Sequence, residues 1–167
     1  MELYHTFTSS GTFTPTSIWY DTTPNGNNGT VVNNPTFSAA NGGSLIFNGS
    51  NNVVNATTSI INKVNGQEIT VACWIKPSRT SGQYSVFCAN RSNDTATYSW
   101  IFYQHTSDGA IAFHGVAQNK SSYIPTINQW INVVNTVTAG GVSTLYINGA
   151  SNFTVSGFTY GNATPSR

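Results

Sequence analysis

Apolar residues along this chain fall in short runs in which every second position is polar or small, and helical spacing is hard to find anywhere. In Ser44-Leu45-Ile46-Phe47-Asn48 an extended backbone puts Leu45 and Phe47 on one side. In Ile69-Thr70-Val71-Ala72-Cys73 the odd positions share a side, and Ile111 with Phe113 and Leu145 with Ile147 repeat the period of two. The runs are rich in Val, Ile, Phe, Tyr and Thr, which sit well on a pleated surface. They predict strands over residues 17–21, 29–33, 44–48, 51–55, 68–76, 84–90, 97–105, 110–116, 130–138, 143–148 and 152–156. Between them stand turns such as Pro24-Asn25-Gly26, Asn48-Gly49, Ser107-Asp108-Gly109 and Asn148-Gly149, whose Asn and Gly tolerate the positive φ of tight hairpins. Many short strands joined this way predict an all-β fold, two antiparallel sheets stacked as a jelly-roll sandwich. Each inward side chain contributes about 1.5–3 kcal/mol on burial.

One predicted strand breaks the one-sided pattern. Tyr98, Trp100 and Phe102 alternate on one face of residues 97–105, while Ile101 and Tyr103 occupy the other. Such a strand is buried on both faces, or offers one of them to a ligand or partner.

Composition narrows the function. The chain has 167 residues, of which only 7% are charged; six Lys plus Arg nearly cancel five Asp plus Glu. A near-neutral surface has no electrostatic footprint for a nucleic-acid backbone or an anionic membrane. With 38% hydrophobic and 13% aromatic residues there is ample surface to bury, so disorder is not expected, and the length suits a single domain over 1–167. The start, Met1 to Thr8, has neither the basic segment nor the apolar run of a secretory signal. Two cysteines are too few for a four-thiolate zinc cluster or a disulfide-stapled scaffold. If residues 68–76 and 84–90 form a hairpin centred near Thr80-Ser81, Cys73 and Cys88 face each other across its ladder; buried free thiols are the reading favoured here.

Several segments then resemble a known family. Ser44-Leu45-Ile46-Phe47-Asn48-Gly49-Ser50 is similar to the "slxFdGs" strand and turn of laminin-G-like, concanavalin A-like jelly rolls, and Ile69-Thr70-Val71-Ala72-Cys73-Trp74-Ile75-Lys76-Pro77 to their "fTvsaWvkp" strand. Trp130 to Thr136 with Thr144 to Gly149 resembles the "WhhVa.t…lYiNG" pair, and Trp19-Tyr20-Asp21 with Asn25 to Thr30 the "W.Dlsgn.n.Gt" segment of bacterial and bacteriophage members. These four ordered blocks span roughly residues 17–150 and are specific for the fold, with little to say about the ligand. The family's closing strand has no counterpart before Arg167, so an edge is expected to stand open, to be covered by a neighbouring subunit, or to be completed by residues of a longer chain.

The resemblance makes glycoside hydrolysis the enzyme class to weigh. It needs two carboxylates about 5–10 Å apart. The acids here are Glu2, Asp21, Glu68, Asp94 and Asp108, no two at the strand spacing of the related glucanases; Asp21 and Asp108 stand in turns, where carboxylates ordinarily cap backbone N–H groups. No catalytic residue and no metal ligand set is assigned. His105 and His114 flank the Asp108-Gly109 turn, but His5 is remote in sequence and a metal wants a third ligand. The loop Asn90 to Thr95 offers calcium one carboxylate beside Arg91, so no cofactor is expected, calcium being the ion that came nearest. Glycan binding without a metal uses aromatic platforms and amides. Tyr98, Trp100, Tyr103 and Tyr123 are the candidate carbohydrate- or partner-binding residues, with core packing as the plainer role; Phe153, Phe158 and Tyr160 also lie in segments that could be exposed.

These features together predict a non-enzymatic jelly roll. The resemblance implies a bacteriophage virion role, as capsid decoration, head fibre or tail fibre assembled in the host cytoplasm, with self-association, contacts to other virion proteins and contact with cell-surface glycans. The alternatives are a bacterial cell-surface lectin or adhesin module, extracellular or on the cell surface, and a glycoside hydrolase.

Overall fold

The structure, a computed structural model, describes residues 18–21, 23–56, 68–80, 84–91 and 98–161. The chain divides into two compact units, Met1–Ile61 and Asn62–Ser166. Apart from one 3-10 turn at Ala40–Gly42, every regular element among the described residues is a strand, as the alternation predicts. None of these elements is a helix long and apolar enough to cross a membrane.

In the first unit, β1 (Ile18–Trp19), β2 (Gly29–Val32) and β5 (Val53–Asn55) form an antiparallel sheet in the order β1-β2-β5, and β3 (Thr36–Ser38) pairs with β4 (Ser44–Ile46). β3 escaped the sequence pattern because its single large apolar residue, Phe37, gives no alternation to read. The predicted strands 44–48 and 51–55 stop short of each other because Asn48 takes over the backbone. Its Oδ1 accepts the N–H groups of Ser50, Asn51 and Asn52 at 2.9, 3.1 and 3.3 Å, a side-chain turn that removes them from any ladder. Phe47, expected to share an inward face with Leu45, lies past the end of β4 and is half exposed.

The turn between β1 and β2 is organised by Asp21. Its Oδ1 accepts the Thr23 N–H, and its Oδ2 accepts the Thr23 hydroxyl and the Asn27 N–H, all at 2.8 Å. The Thr23 N–H, the Thr23 hydroxyl and Asn27 hold the carboxyl below its ordinary value of 3.8. A carboxylate with a lowered folded pKa stabilises the fold above the unfolded value, and that contribution fades as pH falls through the folded one. The stability gap between wild type and Asp21→Ala is therefore expected to be constant near neutrality and to close below pH 3.8. Urea titrations at stepped pH measure it, and a gap that persists unchanged into strong acid would contradict the assignment.

The second unit is a sandwich. β6 (Ile69–Ile75), β11 (Ile131–Val137), β12 (Ser143–Ile147) and β13 (Ala150–Val155) make one antiparallel sheet in the order β13-β12-β11-β6. β7 (Ser85–Arg91), β8 (Tyr98–Gln104), β9 (Ile111–His114) and β10 (Gln118–Lys120) make the other, in the order β10-β9-β8-β7. β10 carries Gln, Asn and Lys, so only its pairing with β9 makes it a strand. The β12–β13 turn is the predicted Asn148-Gly149, with φ of 50° and 82°. Side chains from both sheets form one core: Phe102, Ile111 and Phe113 meet Val133, Leu145 and Ile147, with Val71, Cys73 and Phe153 packed against them.

Burial distinguishes the two sheets. Along β11 and β12, buried and half-exposed residues alternate strictly, so one face is core and the other is open. Residues 100–104 of β8 and 111–113 of β9 are buried on both faces, which is the two-sided character read from residues 97–105. The condition under which Cys73 and Cys88 would face each other, a hairpin of residues 68–76 and 84–90, is not met: β6 and β7 belong to different sheets. Cys73 is paired with Val133 and Cys88 with Phe102, so no ladder joins the two cysteines. Both thiols are free, and burial pushes their pKa up, to about 12 at Cys73 and about 11 at Cys88, although the Cys88 residue as a whole keeps exposed surface.

Candidate functional site

Register decides which side chains the β7–β10 sheet presents away from the core. Val86 stands opposite Tyr103, Ala89 opposite Ile101, and on the other flank Tyr103 opposite Ala112 and Ile101 opposite His114. Gln118 then pairs with His114. Ile101, Tyr103 and Ala112 form a small apolar cluster of their own, separate from the core between the sheets. Around Tyr103 the polar groups gather. Gln118 Nε2 donates to its hydroxyl at 2.5 Å, and the rings of His105 and His114 lie 6.2 and 6.4 Å from its own. Tyr84, just before β7 and 61% exposed, tilts over Tyr103 at 5.2 Å and meets His105 edge-on at 6.2 Å. Burial holds His114 below the ordinary histidine value, so its imidazole is neutral at physiological pH.

At one end of this face the β8–β9 turn is fixed by charge. Asp108 accepts from Lys120 Nζ at 2.6 Å and from the Ala110 N–H at 3.2 Å, and lies 3.3 Å from His105 Nδ1. The Lys120 hydrogen bond and the Ala110 N–H hold its carboxyl below the ordinary value. Of the other acids, Glu68 accepts the Ala139 N–H at 3.1 Å and Asp21 organises its own turn, while Glu2 and Asp94 lie outside the described residues. The described residues contain no cluster of three or more His, Cys, Asp and Glu able to hold a metal. The Asn90–Thr95 loop weighed for calcium falls mostly outside the described residues, as does His5.

The three candidate residues whose side chains are described do not converge. Tyr103 lies in the cluster just described. Trp100 points the opposite way, between the sheets, 6% exposed and stacked on Phe113 at 5.6 Å, and its indole N–H finds no acceptor among the described residues. Tyr123 is half-buried against the same core. Tyr98 opens β8, and its side chain lies outside the described residues. Phe158 is core, with Phe153 and Tyr160 packed on it. The sequence singled out neither Tyr84 nor Gln118, and His114 only as a metal ligand; the pairing of β7, β9 and β10 along the Tyr103 face brings them there, and a lone sequence does not display pairing.

The other sheet is different in chemistry. Its outward residues align in rows across all four strands: Thr70, Thr136, Thr144 and Thr154, then Ala72, Val134, Tyr146 and Ser151, then Trp74 beside Asn132. Thr154 donates its hydroxyl to Thr144 at 3.2 Å. No acid or base stands in these rows, and Trp74 is 65% exposed. Parity alone places Trp74 outward, since Ile69, Val71 and Cys73 face the core.

A family model described as the concanavalin A-like lectin/glucanases superfamily, of laminin-G type, matches residues 47–166. The chain belongs to that superfamily. Its all-β sandwich of antiparallel sheets is the jelly-roll fold of such domains. Among solved structures it is similar to domain 4 of AbnA, a GH43 extracellular arabinanase from Geobacillus stearothermophilus, in complex with arabinotriose. The TM-score is 0.55 at 14% identity, over 79% of this chain and 63% of that one, so the likeness is one of fold. None of the curated proteins matches the chain significantly.

Proposed function

We propose that this domain is a non-catalytic binder of neutral glycans, and that Tyr84, backed by the buried Tyr103, marks its ligand face. The observation that carries the reading is the exposed Tyr84 ring set over the buried Tyr103, beside the His105 ring and the Gln118 amide. A sugar ring offers C–H groups to an aromatic face and hydroxyls to Gln118, His105 and His114, which is the mixture of apolar platform and few polar groups that small-ligand sites use. The structure bound to arabinotriose supports a glycan as ligand. Binding without turnover fits the acids, each described one being engaged in a local turn or strand contact.

On the biological setting, the reading carried forward is a virion structural module, a capsid decoration or fibre domain assembled in the host cytoplasm, that self-associates and touches cell-surface glycans. Its support is compositional: 7% charged residues and a net charge of +1 leave neutral hydrogen bonding and apolar burial to hold any assembly. A cell-surface lectin module would carry the same site.

Calorimetric titration with neutral oligosaccharides, arabinotriose first, tests the site. Tyr84→Ala is expected to weaken binding about tenfold or more, as truncation of an aromatic anchor does, and to leave thermal stability near wild type. Wild type that binds none of the sugars, or that hydrolyses one, would overturn the reading.

A further inference from the structure

We infer that the outward face of the β6-β11-β12-β13 sheet is a second glycan-contact surface, with Trp74 as its aromatic anchor. This rests on the neutral-glycan reading above but uses residues on the opposite sheet, so the two stand or fall separately.

Three observations combine. The face is uncovered: outward residues of the two central strands stay half-exposed while their inward neighbours are buried, and Trp74 keeps 65% of its surface. The indole shares this face with half-exposed Val134 and Tyr146, so its apolar surface is not an isolated one. The face is also chemically uniform. Glu68 and Lys76 flank β6, but no acid or base stands between them on the outward side, and the paired rows supply only hydroxyl, amide, methyl and aromatic groups. An anionic or cationic partner would find no counter-charge there. A neutral polymer of hydroxyls and C–H faces complements each group present. Finally, the geometry is that of a flat track. The threonine row crosses all four strands at the inter-strand spacing of about 4.8 Å, and Trp74 stands at the edge strand beside Asn132. Asn132 is held in place: its N–H donates to Asn148 Oδ1 at 2.9 Å and its amide to the Cys73 carbonyl at 3.4 Å.

Size separates a glycan from a second copy of the chain. The paired rows cover roughly 20 by 15 Å, on the order of 300 Å². A stable protein–protein interface takes about 800 Å² from each partner, so this face alone is too small for one. It suits a few sugar units of an extended chain.

Affinity electrophoresis in gels carrying linear arabinan, xylan or β-glucan tests the proposal, with sedimentation equilibrium beside it. Wild type should be retarded by at least one polymer. Trp74→Ala should raise its dissociation constant roughly tenfold while Trp74→Phe restores most of the retardation, and neither should change the molar mass. If Trp74→Ala migrates as wild type while Tyr84→Ala is released, this second surface is refuted and the first site stands. If Trp74→Ala alone is released, the second surface holds and the first site fails. A fall in molar mass on Trp74→Ala would assign the face to a second copy and overturn the proposal. Wild type unretarded by every polymer would overturn both.

Discussion

Gly109→Ala is expected to abolish most of the protein's stability. Gly109 lies in the β8–β9 turn at a φ of +76°, where a side chain costs about 1–2 kcal/mol. The larger effect is contact. A Cβ at this position would sit 1.5 Å from the Thr80 carbonyl oxygen and 2.6 Å from its carbon, so the backbone of Thr80 would have to move. That segment is tied down by Gln104, buried in β8, whose Nε2 donates to the Arg79 carbonyl at 3.1 Å. Pushing residues 79–80 away strands a buried amide, at about 1–3 kcal/mol, on top of about 1–3 kcal/mol for the overpacking itself. The sum, about 3–8 kcal/mol, consumes much or all of the 5–15 kcal/mol or so that domains of this kind possess. Urea unfolding should show a large drop in midpoint or no cooperative transition. Gly149→Ala is the control: its φ is +82°, but nothing lies within 4 Å of the added methyl. It should cost only the conformational part, about 1–2 kcal/mol. Equal losses in the two variants would mean that the approach of Thr80 is not what Gly109 is for.

What a single sequence displays and what it hides follow from the same physics. Periodicity of two is a local property, so the inward sets Ile69-Val71-Cys73, Ile111-Phe113 and Leu145-Ile147 were readable without any pairing. The Asn148-Gly149 turn was readable because its chemistry is confined to two residues. Sheet membership is not local. Residues 68–76 and 84–90 are consecutive apolar runs joined by a short loop, which is also the signature of a hairpin, and nothing in either run records that β6 adds to β11 while β7 adds to β8. β10 was invisible because an edge strand of Gln, Asn and Lys needs no apolar pattern. The candidate residues suffered in the same way. Alternation within β8 already separates Trp100 from Tyr103, but only sheet membership shows that the Trp100 face is the core between the sheets and the Tyr103 face the other side. Trp74 was the reverse case. Its position in β6, one residue past the core-facing Cys73, suffices to put it outward.

Trp100 and Trp74 are therefore set against each other by their faces, and Phe113 shows what the inner one belongs to. Phe113→Ala is expected to destabilise the domain by about 3–5 kcal/mol, the usual cost of emptying a buried aromatic site. The residue is 2% exposed and its ring touches three others: Trp100 stacked at 5.6 Å, Phe102 edge-on at 5.8 Å and Phe158 tilted at 5.2 Å. Each such pair is worth about 0.5–1.5 kcal/mol beyond area burial, so truncation loses specific ring contacts as well as volume. Relief by collapse is limited, because β9 is held between β8 and β10. Phe113→Leu should recover part of the loss by refilling the space without the ring geometry. Trp74→Ala should fall within about 0.5 kcal/mol of wild type, since an exposed side chain forfeits little on removal. Measured by urea unfolding and glycan retention together, the pair separates two uses of an aromatic on one sandwich. Phe113→Leu should lower stability and leave retention intact wherever the domain remains folded; Trp74→Ala should do the opposite. Loss of stability in Trp74→Ala comparable with that of Phe113→Ala would place the indole in the packing of the domain and withdraw it from any ligand.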